Sequence, residues 1–282
     1  MYKRLSYYLP NLAQCWLLVL LFAVVGTVGA LLLCKLITLA IPAFAKWEVI
    51  LSYPLTFVPV ALFIFVKTRR EYSEAASQEV ASPCIPLNNP NFGSIGPFLS
   101  FLMLIPLIFA FNIVTEPLSS WIEVPKIWEE IILSIHDNKI GYFISIVILA
   151  PLLEELLCRG VIMRGLLYHL SPVKAIVWSA VIFGVLHLNP WQAVPAFLTG
   201  SLMGWLYWKS GSIWVPIFVH FVNNAFSYLI TVLFSEIPID AGFADIIPAE
   251  YYYFIYFASL LTLVALLFLM NRKYDKPVSV EI

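Results

Sequence analysis

The chain has 282 residues, of which 61% are hydrophobic and 12% charged, with a net charge of −1 and a mean hydropathy of +0.90. A soluble domain carries nearer half apolar and a quarter charged residues, and no water-soluble core hides this much apolar surface. The near-neutral charge gives no footprint for nucleic acid, and no RNA- or DNA-binding pattern is present.

The apolar surplus falls in long runs, and a spanning helix needs roughly 20 mostly apolar residues. Taken in chain order, these runs predict eight spans: 15–34, 48–66, 95–114, 140–168, 172–188, 193–208, 213–234 and 251–270. The fold class is therefore all-α, a polytopic transmembrane helix bundle. Lys3 and Arg4 before the first run resemble the start of a signal peptide. That run is long enough to span and shows no convincing cleavage site, so it reads as an uncleaved first helix. Residues 67–94 read as a loop and 115–139 as an acidic loop with a short surface helix. Ser171-Pro172 reads as a start signal for the fifth helix, with serine as cap, and Asn189-Pro190 as its close. Cys15, Cys34, Cys84 and Cys158 lack CxxC spacing, and three of them lie in or beside apolar runs, so they read as small buried hydrophobes rather than disulfides or a metal cluster.

Eight spans put both termini on one side. Lys3, Arg4, Lys67, Arg69, Arg70, Arg159, Arg164, Lys174, Lys209, Arg272, Lys273 and Lys276 then share the terminal side, against Lys35, Lys46, Lys126 and Lys139 opposite. Twelve against four places both termini in the cytoplasm. Glu116, Glu123, Glu129, Glu130, Asp137, Glu236, Asp240, Asp245 and Glu250 lie on the other face. Lacking any eukaryotic sorting signal, the sequence suggests a bacterial inner membrane.

An ionisable side chain inside an apolar span costs at least ~2.5–3.5 kcal/mol on insertion scales, and such residues usually mark function. Here they are Glu154, Glu155, His187 and His220, with Arg159 and Asn224 nearby, from three helices. Glu155 and Arg159 stand at i,i+4 and can pair. Glu154 is turned about 100° away and is left free. His220 and Asn224 also stand at i,i+4. The bland reading of each group alone is helix packing by interhelical hydrogen bonds. His136 and His169, in loops or at helix ends, read as solvated.

Together the set suits hydrolysis. A carboxylate can act as general base toward water, a histidine can share that water or protonate the leaving amine, and a second histidine and an amide can stabilise an oxyanion. Glu154, His187 and His220 would equally suffice as ligands of a divalent metal such as zinc with an open position for water.

Three ordered motifs resemble the family of CAAX proteases and bacteriocin-processing membrane proteins (CPBP, also called Abi). They are Glu154-Glu155-x3-Arg159, Phe183-x3-His187 and His220-x3-Asn224; a Gly-rich stretch with Gly-Ser-x-Trp-x-Pro precedes the last. The resemblance covers about 140–230. It implies an intramembrane endopeptidase acting on a membrane-associated peptide or protein substrate, with a site open to the cytoplasm. Glu154 would activate water beside His187, His220 and Asn224 would support the oxyanion, and Glu155 with Arg159 would hold the fourth helix. The family is often described as metal-dependent, and a metal-free glutamate mechanism is also argued. The implied organisation is N-terminal helices over 1–139, a catalytic core over 140–234, and a last helix and tail over 235–282. The runner-up is a non-catalytic membrane partner, an immunity or chaperone-like protein. A transporter ranks third, since no internal repeat or pair of broken helices appears.

Overall fold

The computed structural model describes residues 2–77, 83–126, 135, 137–234, 237, 241–274 and 278, and these are helical with connecting turns and no strand. His136, Glu129, Glu130, Glu236, Asp240 and Lys276, and most of the expected surface helix, lie outside the described residues.

Eight helical units answer to the eight apolar runs: α1 (Leu12–Ala40), α2 (Pro42–Ser77), α3 (Pro97–Leu118), α4 (Lys139–His169), α5 (Pro172–Leu186), α6 (Pro190–Ser210), α7 (Trp214–Leu233) and α8 (Ala249–Lys273). Six of them, all but α5 and α6, are long and apolar enough to cross a membrane. At 15 residues α5 reaches only about 22 Å, short of a hydrocarbon layer of about 30 Å. The 21-residue α6 has the length, but Gln192, Thr199, Ser201 and Lys209 dilute its apolar character. These two helices pack closely against each other.

Several boundaries differ from the expected ones. Residues 67–77, expected as loop, continue α2; Arg70 and Glu74 pair at i,i+4 across 2.8 Å, as suits a helix that has left the apolar layer. Ser171 occupies the N-cap position of α5 without its hydroxyl capping anything, so Pro172 supplies the start signal alone. Asn189 caps α6, accepting from the Gln192 amide at 2.8 Å, and α6 therefore starts at Pro190 rather than 193. His187 consequently ends α5, and Leu188 takes a left-handed φ of 57° in a tight turn.

Exposure follows a membrane bundle. Leu31, Leu36, Leu39, Phe254 and Leu261 are exposed, as lipid-facing side chains are, while Leu104, Ile162, Met203 and Val219 are buried. Close backbone approach needs small residues: a Cβ on Gly26 would overlap the Thr56 carbonyl of α2. In α6, a Cβ on Gly200 would stand 3.0 Å from Phe183 and 3.3 Å from Arg159 Nη2, while Gly204 faces Ile176 and Met163, so the Gly200-x3-Gly204 stripe does bring α6 against its neighbours.

Leu5 and Leu9, near the start of the described chain, and Tyr274 and Val278, near its end, sit at one end of the bundle. Arg164 is fully buried with no carboxylate partner among the described residues; its guanidinium donates to the carbonyls of Gly160, Ile85 and, at 3.0 Å, Leu5. His169, expected to be merely solvated, has Nε2 3.1 Å from the Leu9 carbonyl. The 85–91 segment is tied to the α6–α7 turn through Asn89 and Asn91 amides, and Val278 N donates to Trp208 O at 2.7 Å. The opposite end joins Asn138 to Lys46 and Tyr228 to Lys139. Reporters fused at the two chain ends should therefore report the same compartment; opposite compartments would mean an odd number of crossings and a wrong assignment of α5 and α6.

Candidate functional site

The site is built on α4. Its α-helical stretch Ala150–Leu157 carries both glutamates and is flanked by π-helical stretches Phe143–Leu149 and Cys158–Met163. Such i→i+5 turns widen a helix and shift the angular phase of the residues beyond them, and they concentrate at functional sites.

Glu155 and Arg159 are fully buried and paired as their spacing predicts. Arg159 Nη1 donates to Glu155 Oε1 at 3.0 Å and lies 2.9 Å from Oε2. Nη2 donates to the Gly200 carbonyl at 2.7 Å, which requires the bare backbone of that glycine. The guanidinium rests 4.7 Å over the Phe183 ring, a cation–π contact. Beyond the expected pair, His220 Nδ1 lies 3.0 Å from Glu155 Oε1. A carboxylate there calls for the proton on Nδ1, so His220 donates. Glu155 thus binds two helices, where the sequence assigned it only to Arg159.

His187 donates from Nδ1 to the Phe183 carbonyl at 2.9 Å. The Phe183 ring meets both histidines edge to face, at 5.1 Å from His187 and 5.6 Å from His220. Both histidines thus commit Nδ1, and neither Nε2 has a hydrogen-bond partner among the described residues. Glu154, also buried, accepts at Oε1 from the Tyr53 hydroxyl of α2; its Oε2 is buried with no partner among the described residues. No hydrogen bond joins Glu154 to either histidine among the described residues. Asn224, half-buried one turn beyond His220, donates to the Ile146 carbonyl at 3.0 Å and accepts from Asn223 at 3.3 Å, and Asn223 accepts from Asn112 at 2.9 Å. Cys158 is buried, and Ser179 donates to its carbonyl at 3.2 Å, as a core residue.

The structure brings Glu155, Arg159, His187 and His220 around Phe183, with Glu154 on the neighbouring residue and Asn224 one turn off. Glu154, His187 and His220 do not gather as a metal set: among the described residues no group of three or more His, Cys, Asp and Glu is placed to hold an ion. The physical reason is that Glu155, not Glu154, meets His220, and Glu154 turns instead to α2. Tyr53 and Asn112 escaped the sequence reading. A tyrosine in an apolar helix carries no motif, and Asn112 was distinguishable only as a lone amide inside a span.

A bundle of long apolar helices around buried carboxylates, a buried histidine and a buried guanidinium is that of an integral membrane protein with a polar centre. The family model described as "Type II CAAX prenyl endopeptidase Rce1-like" matches residues 136–226, which contain all three motifs, so the resemblance holds over that stretch. The chain is also 34% identical over 79 residues to "Putative membrane peptidase YdiL" of Bacillus subtilis (strain 168), covering 28% of this chain and 32% of that protein. The chain thus spans about a third of the length of that curated relative. No solved structure matches it.

Removing one partner of a buried ion pair strands the other and typically costs ~3–5 kcal/mol. Arg159→Ala should therefore lower the melting temperature sharply in detergent. Glu154→Gln, which keeps shape and an acceptor for Tyr53, should melt close to the wild type.

Proposed function

We propose that the protein is an intramembrane endopeptidase that hydrolyses peptide bonds of a membrane-associated substrate, with Glu154, His187, His220 and Asn224 as its site. The observation that carries this reading is the contrast between adjacent carboxylates: neither Oε2 has a hydrogen bond among the described residues, but that of Glu155 lies 2.9 Å from the Arg159 guanidinium while that of Glu154 is buried with no cation beside it. A half-satisfied buried carboxylate is costly, and persists where a proton or a water is to be handled.

In this reading Glu154 Oε2 takes a proton from water as the hydroxide oxygen adds to the scissile carbonyl. The tetrahedral intermediate then collapses, the C–N bond breaks, and the proton taken from water passes from Glu154, by way of His187 Nε2, to the departing nitrogen, which restores the carboxylate. His187 and His220 act from their free Nε2 atoms, with Nδ1 fixed by Phe183 O and Glu155 respectively. The second N–H of Asn224 donates to the developing oxyanion, and His220 does so whenever Nε2 carries a proton as well as Nδ1. Arg159 and Glu155 hold α4, α6 and α7 in register. No step is routed through a metal, because the donors do not converge as a ligand set. The catalytic core is 140–234, framed by 1–139 and 235–282. The membrane is a bacterial inner membrane in this reading, and both termini are cytoplasmic on a Lys and Arg bias of ten to four once the buried Arg159 and Arg164 are set aside.

One observation favours a second reading, a non-catalytic membrane partner. The Asn112–Asn223–Asn224–Ile146 ladder joins three helices entirely through satisfied hydrogen bonds, as packing glue does.

Purified protein in detergent, offered internally quenched peptides ending in a farnesylated CAAX sequence and their unmodified counterparts, separates the two. Glu154→Gln and His187→Ala should each lower kcat at least ~10²-fold, and Asn224→Ala ~10²–10³-fold. Cleavage that is indifferent to Glu154 would remove the peptidase reading and leave the packing network.

A further inference from the structure

We infer that Tyr53, on α2 and outside the family-matched stretch, is the residue that positions Glu154: its hydroxyl fixes one carboxylate oxygen and thereby presents the other to the reacting water. This rests on the peptidase reading of Glu154.

The contact ends a continuous seam between α2 and α4. Asn138 Nδ2 donates to the Lys46 carbonyl at 3.1 Å, Ser145 Oγ donates to the Val49 carbonyl at 2.6 Å, and the Tyr53 hydroxyl donates to Glu154 Oε1. Lys46, Val49 and Tyr53 fall at i, i+3 and i+7, one face of a helix. The phenol is therefore delivered by a helix registered against α4 at two earlier points.

Its other side is held by an aromatic stack. Tyr53 meets Phe57 edge to face at 5.5 Å, and Phe57 meets Phe22 of α1 at 4.9 Å. The Thr56 hydroxyl donates to the Tyr53 carbonyl at 2.6 Å, and Gly26 admits the Thr56 backbone against α1. Neighbouring helices thus limit the swing of the ring.

A glutamate on a helix has a freely turning terminal carboxylate, and only a hydrogen-bond donor or a cation can fix its orientation among apolar neighbours. Among the described residues Tyr53 is the only hydrogen-bond donor to Glu154, and it occupies Oε1 while Oε2 stays buried and unpartnered. One oxygen is anchored and the other is poised. Tyr53 touches neither substrate nor reacting atoms; it acts through Glu154.

The test uses the full chain in detergent with the farnesylated quenched peptide. Tyr53→Phe keeps the ring and its stacking and removes only the donor. We expect kcat to fall about 10- to 100-fold, the scale of a small misplacement of a reacting group, with KM and melting temperature near wild type. Tyr53→Leu, which also removes the ring, should lower the melting temperature as well. Wild-type kcat in Tyr53→Phe, with Glu154→Gln inactive, overturns the positioning role and leaves the peptidase reading standing. An equal loss in KM, kcat and melting temperature also overturns it, as that is the mark of a merely structural residue. A readout independent of activity is the double-mutant cycle of Tyr53→Phe and Glu154→Leu on melting temperature. Non-additive shifts are expected, and additive shifts would show that the two side chains do not interact.

Discussion

A guanidinium buried in the bundle must find its partners inside the protein; Arg164 finds three carbonyls, whereas Arg159 draws on several helices at once. Glu155 supplies the opposite charge from one turn earlier on α4, Gly200 a carbonyl from α6, Phe183 a ring face from α5, and Glu155 in turn reaches His220 on α7. The bilayer offers no substitute partner, so each of these contacts constrains where its helix lies. The proposed chemistry is downstream of this constraint. Phe183 carries His187 on its own carbonyl, and His220 is oriented by the carboxylate that Arg159 holds.

The same logic explains the uneven helices. Six helices present apolar sides to lipid and need only length and hydrophobicity. The shorter α5 and the more polar α6 are packed on each other, and the turn between them is where a left-handed leucine and a buried amide side chain are tolerable. Asn189 illustrates this: buried in the α5–α6 turn, it spends its side chain on the Gln192 amide, the Gln192 side chain and the His187 carbonyl. A buried irregular backbone has to be hydrogen-bonded inside the protein, and the turn that ends in His187 achieves it with one residue.

What the sequence discloses depends on whether a feature is local. Eight apolar runs are local, and each became a helical unit. The Glu155–Arg159 pair is local too, since its spacing sets it on one face. Asn189-Pro190 misled because Asn before Pro signals both the end of one helix and the start of the next, and the structure uses the second meaning. Residues 67–77 misled because loss of hydrophobicity ends a span without ending a helix. The Glu155–His220 bond joins residues 65 positions apart and the Tyr53–Glu154 bond residues 101 apart. No periodicity in one chain reports on such pairs, so the sequence could group Glu154, His187 and His220 without showing that Glu154 and His220 turn to different partners.

Adjacent glutamates offer a natural way to divide labour. On a helix, neighbours point about 100° apart, so two identical side chains meet two different walls of the bundle. Glu155 faces α6 and α7 and finds a cation and an imidazole; Glu154 faces α2 and finds a single phenol. Roles in a polar site are set by such environments rather than by residue type. The wall that Glu154 meets comes from the N-terminal part of the chain, beyond the stretch 136–226 that matches the peptidase family. The motif-bearing helices therefore hold the charge pair by themselves, but the carboxylate proposed to move the proton takes its orientation from a helix that no motif identifies.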